Sequence, residues 1–266
     1  MTGQTRGVLY PARLPRFTRL PAPAAAEELV RWFWIPEWDL EPGRTSRQHV
    51  VAHPGCNVVV DSRDGGFVGF AGPTTRRSHQ DLSGRGWAVG AHLRPAAVPA
   101  FTDDPAAARD SYRPLREPEL FAAVAAQMAT SAPDRLERAV AVLADHLVQR
   151  CGPVTEEARA ANELAALVDG DPTVLRLEDA ADRLRRSPRT LQRLARRYVG
   201  LPPAAMIRRR RLQEAAERVR TDRTADLAAI AADLGYADHA HLTNDFRTVL
   251  GTAPSEYRRE HRDGDA

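Results

Sequence analysis

Arg189, Gln192, Arg193 and Arg196 recur at intervals of three, one and three residues, so on a helix they share one side. Arginine donates paired hydrogen bonds to guanine, and glutamine exchanges a pair with adenine, on the major-groove edge of duplex DNA. The chemistry open to these residue types is therefore base recognition. They lie within residues 183–211, which hold eleven arginines and no acidic residue. The plain alternative is a solvated basic face, the usual fate of a charge run.

The surrounding residues specify the helix that would carry them. Ser187 suits the N-cap and Pro188 the first helical position, while Gly200 and Pro202 end the helix. Leu191, Leu194, Ala195 and Tyr198 form its apolar back. Leu177, Ala180, Ala181 and Leu184 mark a helix just before it, and a tight polar turn at Arg186-Ser187 joins the two as a helix-turn-helix. A still earlier helix carries Leu164, Leu167 and Val168. A long helix follows from Pro203 to near Arg220, about 18 residues or ~27 Å. Arg208 shares the side of Leu212, Ala215 and Val219 and should pack or pair internally, whereas Arg209 and Arg210 point elsewhere and are candidates for phosphate contact, with a solvated face the plain alternative.

The pattern then repeats. Leu227, Ile230, Ala231 and Leu234 form a short helix stopped by Gly235-Tyr236; Asp238 caps the next, with Leu242, Phe246 and Val249 on one face and Gly251 at its end. Asp245 turns toward that apolar face, which predicts an internal partner.

Residues 160–261 resemble the AraC/XylS transcription regulators. The match is carried by IAADLGYADHAHLTNDFRTVLGTAPSEYRRE at 230–260, through Ala231, Gly235, Tyr236, Asp238, Phe246, Gly251, Pro254, Tyr257 and Arg258, and by LEDAADRLRRSPRTLQRLARRYVGLPPAAMIRRRRLQEA before it. The resemblance implies a bacterial regulator with two helix-turn-helix units that read successive major grooves of double-stranded DNA. The first reading helix would use Arg189, Gln192, Arg193 and Arg196, with Arg209 on phosphate. The second would use His239, Ala240, His241 and Asn244, with Arg247 near the backbone. Such regulators often carry arginine where this chain has Asn244. Asparagine prefers adenine, so the half-sites should differ in base composition. RNA polymerase is an expected partner of an activator.

The N-terminal half reads as short strands at VRWFW (interrupted at Pro36), HVVAH at 49–53, NVVVD at 57–61, GFVGF at 66–70 and WAVGAHL at 87–93, with residues 1–20 irregular. The YxP near its start, the VRWFW run, HPGCNVVV, GPTT and GxHLRP resemble the cupin-like β-barrel sensor domains fused to such regulators. That resemblance implies a small-molecule effector, and Trp34, His53, Asn57, His79, Trp87 and His92 are the candidate contacts. The tryptophans fill a barrel core equally well. His49, His53 and Cys56 raise the alternative of a metal-binding or catalytic barrel, but the His-x-His-then-Glu pattern is absent, and neither metal nor cofactor is expected.

The fold class expected is α+β in two domains. An N-terminal antiparallel β-barrel, cupin-like and with flanking helices, spans 1–115. A helical linker and candidate dimerisation segment spans 116–153. An all-α domain with two helix-turn-helix units joined by a long helix spans 154–266. Leu136, Val140, Leu143 and Leu147 form a seam that either packs on the barrel or builds a homodimer.

Composition fits. The formal charge of the 266 residues is only +3, although all 38 basic residues are arginine, so the basic character is local. Two cysteines give no disulfide framework. No stretch approaches the ~18 apolar residues of a membrane span, and the N-terminus lacks a secretory core. A cytoplasmic protein is expected. No Gly-rich phosphate loop, His-Glu-x-x-His or Gly-x-Ser-x-Gly occurs, so no enzymatic activity is expected.

Overall fold

The computed structural model describes residues 16–50, 55–75, 78–222, 224 and 226–260. His53 lies outside them.

The N-terminal strands are β1 (Arg16–Pro21), β2 (Val30–Asp39), β3 (Thr45–Val50), β4 (Asn57–Asp61), β5 (Phe67–Ala71), β6 (Ser78–Ser83), β7 (Arg85–Leu93) and β8 (Tyr112–Leu115). Six form an antiparallel sheet in the order β1-β2-β7-β4-β5-β8, and β3 pairs with β6 in a separate ribbon. The expected barrel is corrected to an open sheet among the described residues. Its edges are β1 and β8, because β3 and β6 pair with each other instead of bridging them.

Two strand expectations also change. β2 runs through Pro36, which pairs with Phe17 of β1. The β2–β7 register stops at Trp34↔Gly90 and resumes at Glu37↔Trp87, so the missing proline N–H falls in a gap of that ladder. Residues 16–20, read as irregular, belong to β1.

One face of the sheet carries Phe33, Ile35, Val58, Val60, Val68, Phe70, Val89 and Ala91, all buried. It is covered by α1 (Pro118–Met128) and α2 (Arg135–Cys151), which contribute Leu120, Val124, Val140, Leu143 and Leu147 to the same core. The 136–147 seam therefore packs on its own sheet. Burying each such leucine or valine stabilises the arrangement by about 1.5–3 kcal/mol.

The C-terminal helices are α3 (Glu156–Gly170), α4 (Leu177–Leu184), α5 (Pro188–Tyr198), α6 (Pro203–Thr221), α7 (Leu227–Asp233), α8 (His239–Leu250) and α9 (Pro254–Glu260). Two separate cores form here. α3, α4 and α5 close on Met206 and Ile207 from the start of α6. α7, α8 and Tyr257 close on Leu212, Ala215, Ala216 and Val219 from its later turns. One helix of 19 residues thus serves both units.

The first unit is docked on the N-terminal domain. Asn162 of α3 accepts from the Ala96 amide at 3.0 Å and donates to the Glu28 carbonyl at 2.8 Å. Arg31 pairs with Asp169, and Arg159 with Glu28. Gly200, after α5, has φ 80° and lies so close to the chain at Pro105 that a Cβ would sit 2.5 Å from it. Both its conformation and that close approach demand glycine.

Candidate nucleic-acid interface

Helix α5 is built as its sequence dictates. Ser187 Oγ accepts from the Thr190 amide at 3.2 Å, and Pro188 starts the helix. Leu191, Leu194, Ala195 and Tyr198 are buried, which leaves Arg189, Gln192, Arg193 and Arg196 exposed. Arg185, at φ 50°, turns the chain between α4 and α5.

Helix α8 repeats the design. Asp238 Oδ1 accepts from the His241 amide at 2.7 Å, and Gly251 closes the helix at φ 72°. Leu242, Phe246 and Leu250 are buried; His239, Ala240, His241, Asn244 and Arg247 are exposed. The His241 ring stands edge-on to Tyr236, with centroids 5.2 Å apart. Asp245, the acid on this helix, is 1 % exposed and takes a two-pronged ion pair from Arg208 of α6. The internal partner expected for Asp245 is thus Arg208.

Arg209 and Arg210 correct the sequence reading. Each is only 7 % exposed. Arg209 donates to the Thr74 carbonyl of the N-terminal domain. Arg210 donates to the Val174 carbonyl at 2.9 Å and pairs with Glu214 at 3.3 Å. The helix that carries them is covered on both of these sides, so neither guanidinium faces a phosphate. Burial lowers the pKa of both.

On the other face of the N-terminal sheet, three of the candidate effector contacts meet. Asn57 Oδ1 accepts from Trp34 Nε1 at 3.0 Å and lies 3.3 Å from His92 Nδ1, which therefore carries the proton. A Cβ at Gly90 would lie 2.0 Å from Trp34, so the glycine makes room for that indole. Trp32 stacks on His92 at 4.5 Å, with the Arg19 and Arg31 guanidiniums 4.6 and 4.7 Å from the Trp32 ring centre. Burial, reinforced by Arg31, Arg19 and Arg94, pushes the His92 pKa down to about 3.

The remaining candidates lie elsewhere. Trp87 belongs to the opposite face and stacks on Phe121 of α1 at 6.2 Å, because adjacent positions on a strand point to opposite sides. His79 is exposed on β6, opposite His49 in the ribbon. Cys56 is buried, and its thiol is pushed up to about 12. Among the described residues no group of three His, Cys, Asp or Glu could hold a metal ion. Nor is any helix among them long and apolar enough to cross a membrane.

Comparison with known proteins covers both halves. Residues 180–260 match the family model described as a helix-turn-helix domain. The C-terminal domain is an AraC-type helix-turn-helix domain. Residues 11–111 match a domain of unknown function (DUF6597). Among solved structures, an AraC-type transcriptional regulator from Chromobacterium violaceum is 22 % identical, over 39 % of this chain and 92 % of its own, with a TM-score of 0.36. The C-terminal domain of AraT, a response regulator from Geobacillus stearothermophilus, is 26 % identical over 39 % and 84 %, at 0.32. ToxT from Vibrio cholerae, bound to an unsaturated fatty acid, is 16 % identical over 85 % and 94 %, at 0.39. No curated protein matches the chain.

One functional candidate that the sequence did not single out lies just before the matched residues. Glu157, in the first turn of α3, takes an ion pair from Arg193 and another from Arg197 at 2.8 Å. Tyr198 adds a hydroxyl contact at 3.2 Å. These donors hold the Glu157 carboxyl below the usual carboxylate range, Arg193 foremost. The only signal in the sequence was an acidic pair, Glu156-Glu157, after the cap Thr155.

Proposed function

We propose that the chain is a sequence-specific, DNA-binding transcriptional regulator that reads two successive major grooves with α5 and α8. The observation that carries this reading is α6. Its two halves close two separate cores, each of which backs one capped helix with an exposed polar front. Its 19 residues give a length of about 28 Å. That is compatible with a groove repeat of ~34 Å on one side of the duplex.

In this reading Arg189, Gln192, Arg193 and Arg196 face the first groove, and His239, Ala240, His241 and Asn244 the second, with Arg247 beside the backbone. The first unit supplies more of the phosphate attraction, because α5 presents Arg189, Arg193, Arg196 and Arg197 where α8 presents Arg247. The N-terminal domain takes a small-molecule effector beside Trp34, Asn57 and His92. Its docking on α3, α5 and α6 is the route by which that effector would alter DNA reading. Since α2 is used internally, pairing with a second copy would need a surface other than the 136–147 seam. The protein acts in the cytoplasm, where DNA is available.

Selection of bound sequences from a random duplex pool tests this reading. Enrichment of a bipartite motif supports it; recovery of unenriched sequence refutes it. Repeating the selection with candidate metabolites identifies those that change the motif or its yield.

A further inference from the structure

The carboxylate of Glu157 stands at an unusual place for an acid. It belongs to α3, outside the helix-turn-helix, yet its donors Arg193, Arg197 and Tyr198 come from the last two turns of α5. Arg193 and Arg197 are one helical turn apart, so a single carboxylate can span both. Their side chains remain 58 % and 60 % exposed, while that of Glu157 is 28 % exposed. The carboxylate is therefore the more covered partner, and both guanidiniums keep open surface. Arg193 is held through one Nη, which leaves the rest of its planar donor fork available.

Two consequences follow from charge and geometry. A negative charge beside the reading face weakens attraction to every phosphate, whatever the sequence. The same contact restrains one end of a side chain that must present paired donors to one base edge, so less freedom is lost when that base is met. The first effect lowers non-specific affinity; the second preserves specific affinity.

We infer that Glu157 is a specificity-determining residue: it positions Arg193 for base reading and suppresses binding to unrelated DNA. This rests on the assignment of α5 as a reading helix. Glu157 acts through the arginines and touches no base itself.

The test compares full-length wild type with Glu157→Gln on a selected duplex and on a scrambled duplex of equal length, across a salt series. Glutamine keeps the shape and an acceptor oxygen but removes the charge. Affinity for scrambled DNA should rise roughly three- to tenfold near 0.1 M salt, with a salt slope steeper by about one unit. Affinity for the selected duplex should rise less or fall, so the ratio of the two shrinks. Glu157→Asp, which keeps the charge, should leave scrambled-DNA affinity near wild type. Circular dichroism melts of each variant establish that the fold is retained. If Glu157→Gln does not fold, Tyr198→Phe takes its place, since it loosens the carboxylate without changing charge. That variant should weaken selected-duplex binding while scrambled binding stays constant.

Equal shifts on both duplexes, or none, would overturn the inference while leaving the DNA-reading assignment intact. A wild type that prefers no sequence would overturn both.

Discussion

Arg208 of the connecting helix and Asp245 of the second reading helix form an ion pair in which the arginine side chain is 55 % exposed and the aspartate 1 %. The asymmetry makes the two partners unequal. Removing the arginine strands a buried charge, whereas removing the aspartate returns a half-exposed guanidinium to water. Arg208→Ala should destabilise the second unit by about 2–4 kcal/mol. Arg208→Ala combined with Asp245→Asn should recover most of that loss. Urea unfolding of the three proteins checks this; a double variant no more stable than the single one would contradict it.

Arg209 gives a second prediction, because its sequence neighbours and its environment disagree. Its donor contact to the Thr74 carbonyl ties α6 to the N-terminal domain. Arg209→Ala should lower stability by about 1–3 kcal/mol and leave the salt slope of DNA binding unchanged. A flattened slope with unchanged stability would restore the phosphate role first expected of it.

Arg193 should behave in the opposite way. Arg193→Ala should cost roughly 1–3 kcal/mol on the preferred site and relax base preference at one position. Binding titrations against single-base variants of the site measure this. A uniform loss over all of them would show that Arg193 contacts the backbone.

His92 predicts a pH dependence of the N-terminal domain. Its pKa lies near 3 in the folded protein, against the ordinary 6.5. Between those values the unfolded chain binds a proton that the folded one does not. The contribution to stability is therefore present above pH ~6.5 and is lost as pH falls toward 3. From pH 7 to pH 5 the loss should be about 2 kcal/mol. His146 shifts in the same direction by burial, so the measurement needs a difference. Urea unfolding of wild type and His92→Gln at both pH values supplies it. Equal pH dependence in the two proteins would contradict the assignment.

The parts of the fold legible in the sequence are those decided by near neighbours. Ser187 and Asp238 cap helices that begin within three residues of them, and both bonds are present. The apolar faces of α5 and α8 follow from helical spacing alone, as does the inward turn of Asp245. Contacts made across long separations could not be read in this way. Arg209 meets Thr74, 135 residues away, and Arg193 meets Glu157, 36 residues away. The sheet shows the same limit. Trp34 and Trp87 both lie on half-buried strands, and only the register Trp34↔Gly90 reveals that they occupy opposite faces. A ribbon that pairs with itself rather than closing a barrel is likewise a matter of partner choice, to which strand propensity is blind.

Hydroxyl-radical footprinting on a selected duplex tests the central claim most directly. The account predicts two protected patches on one side of the duplex, about 10–10.5 base pairs apart, with the patch under α8 lost first when Asn244 and His241 are replaced by alanine. A single patch that is insensitive to those replacements would contradict a two-groove reader.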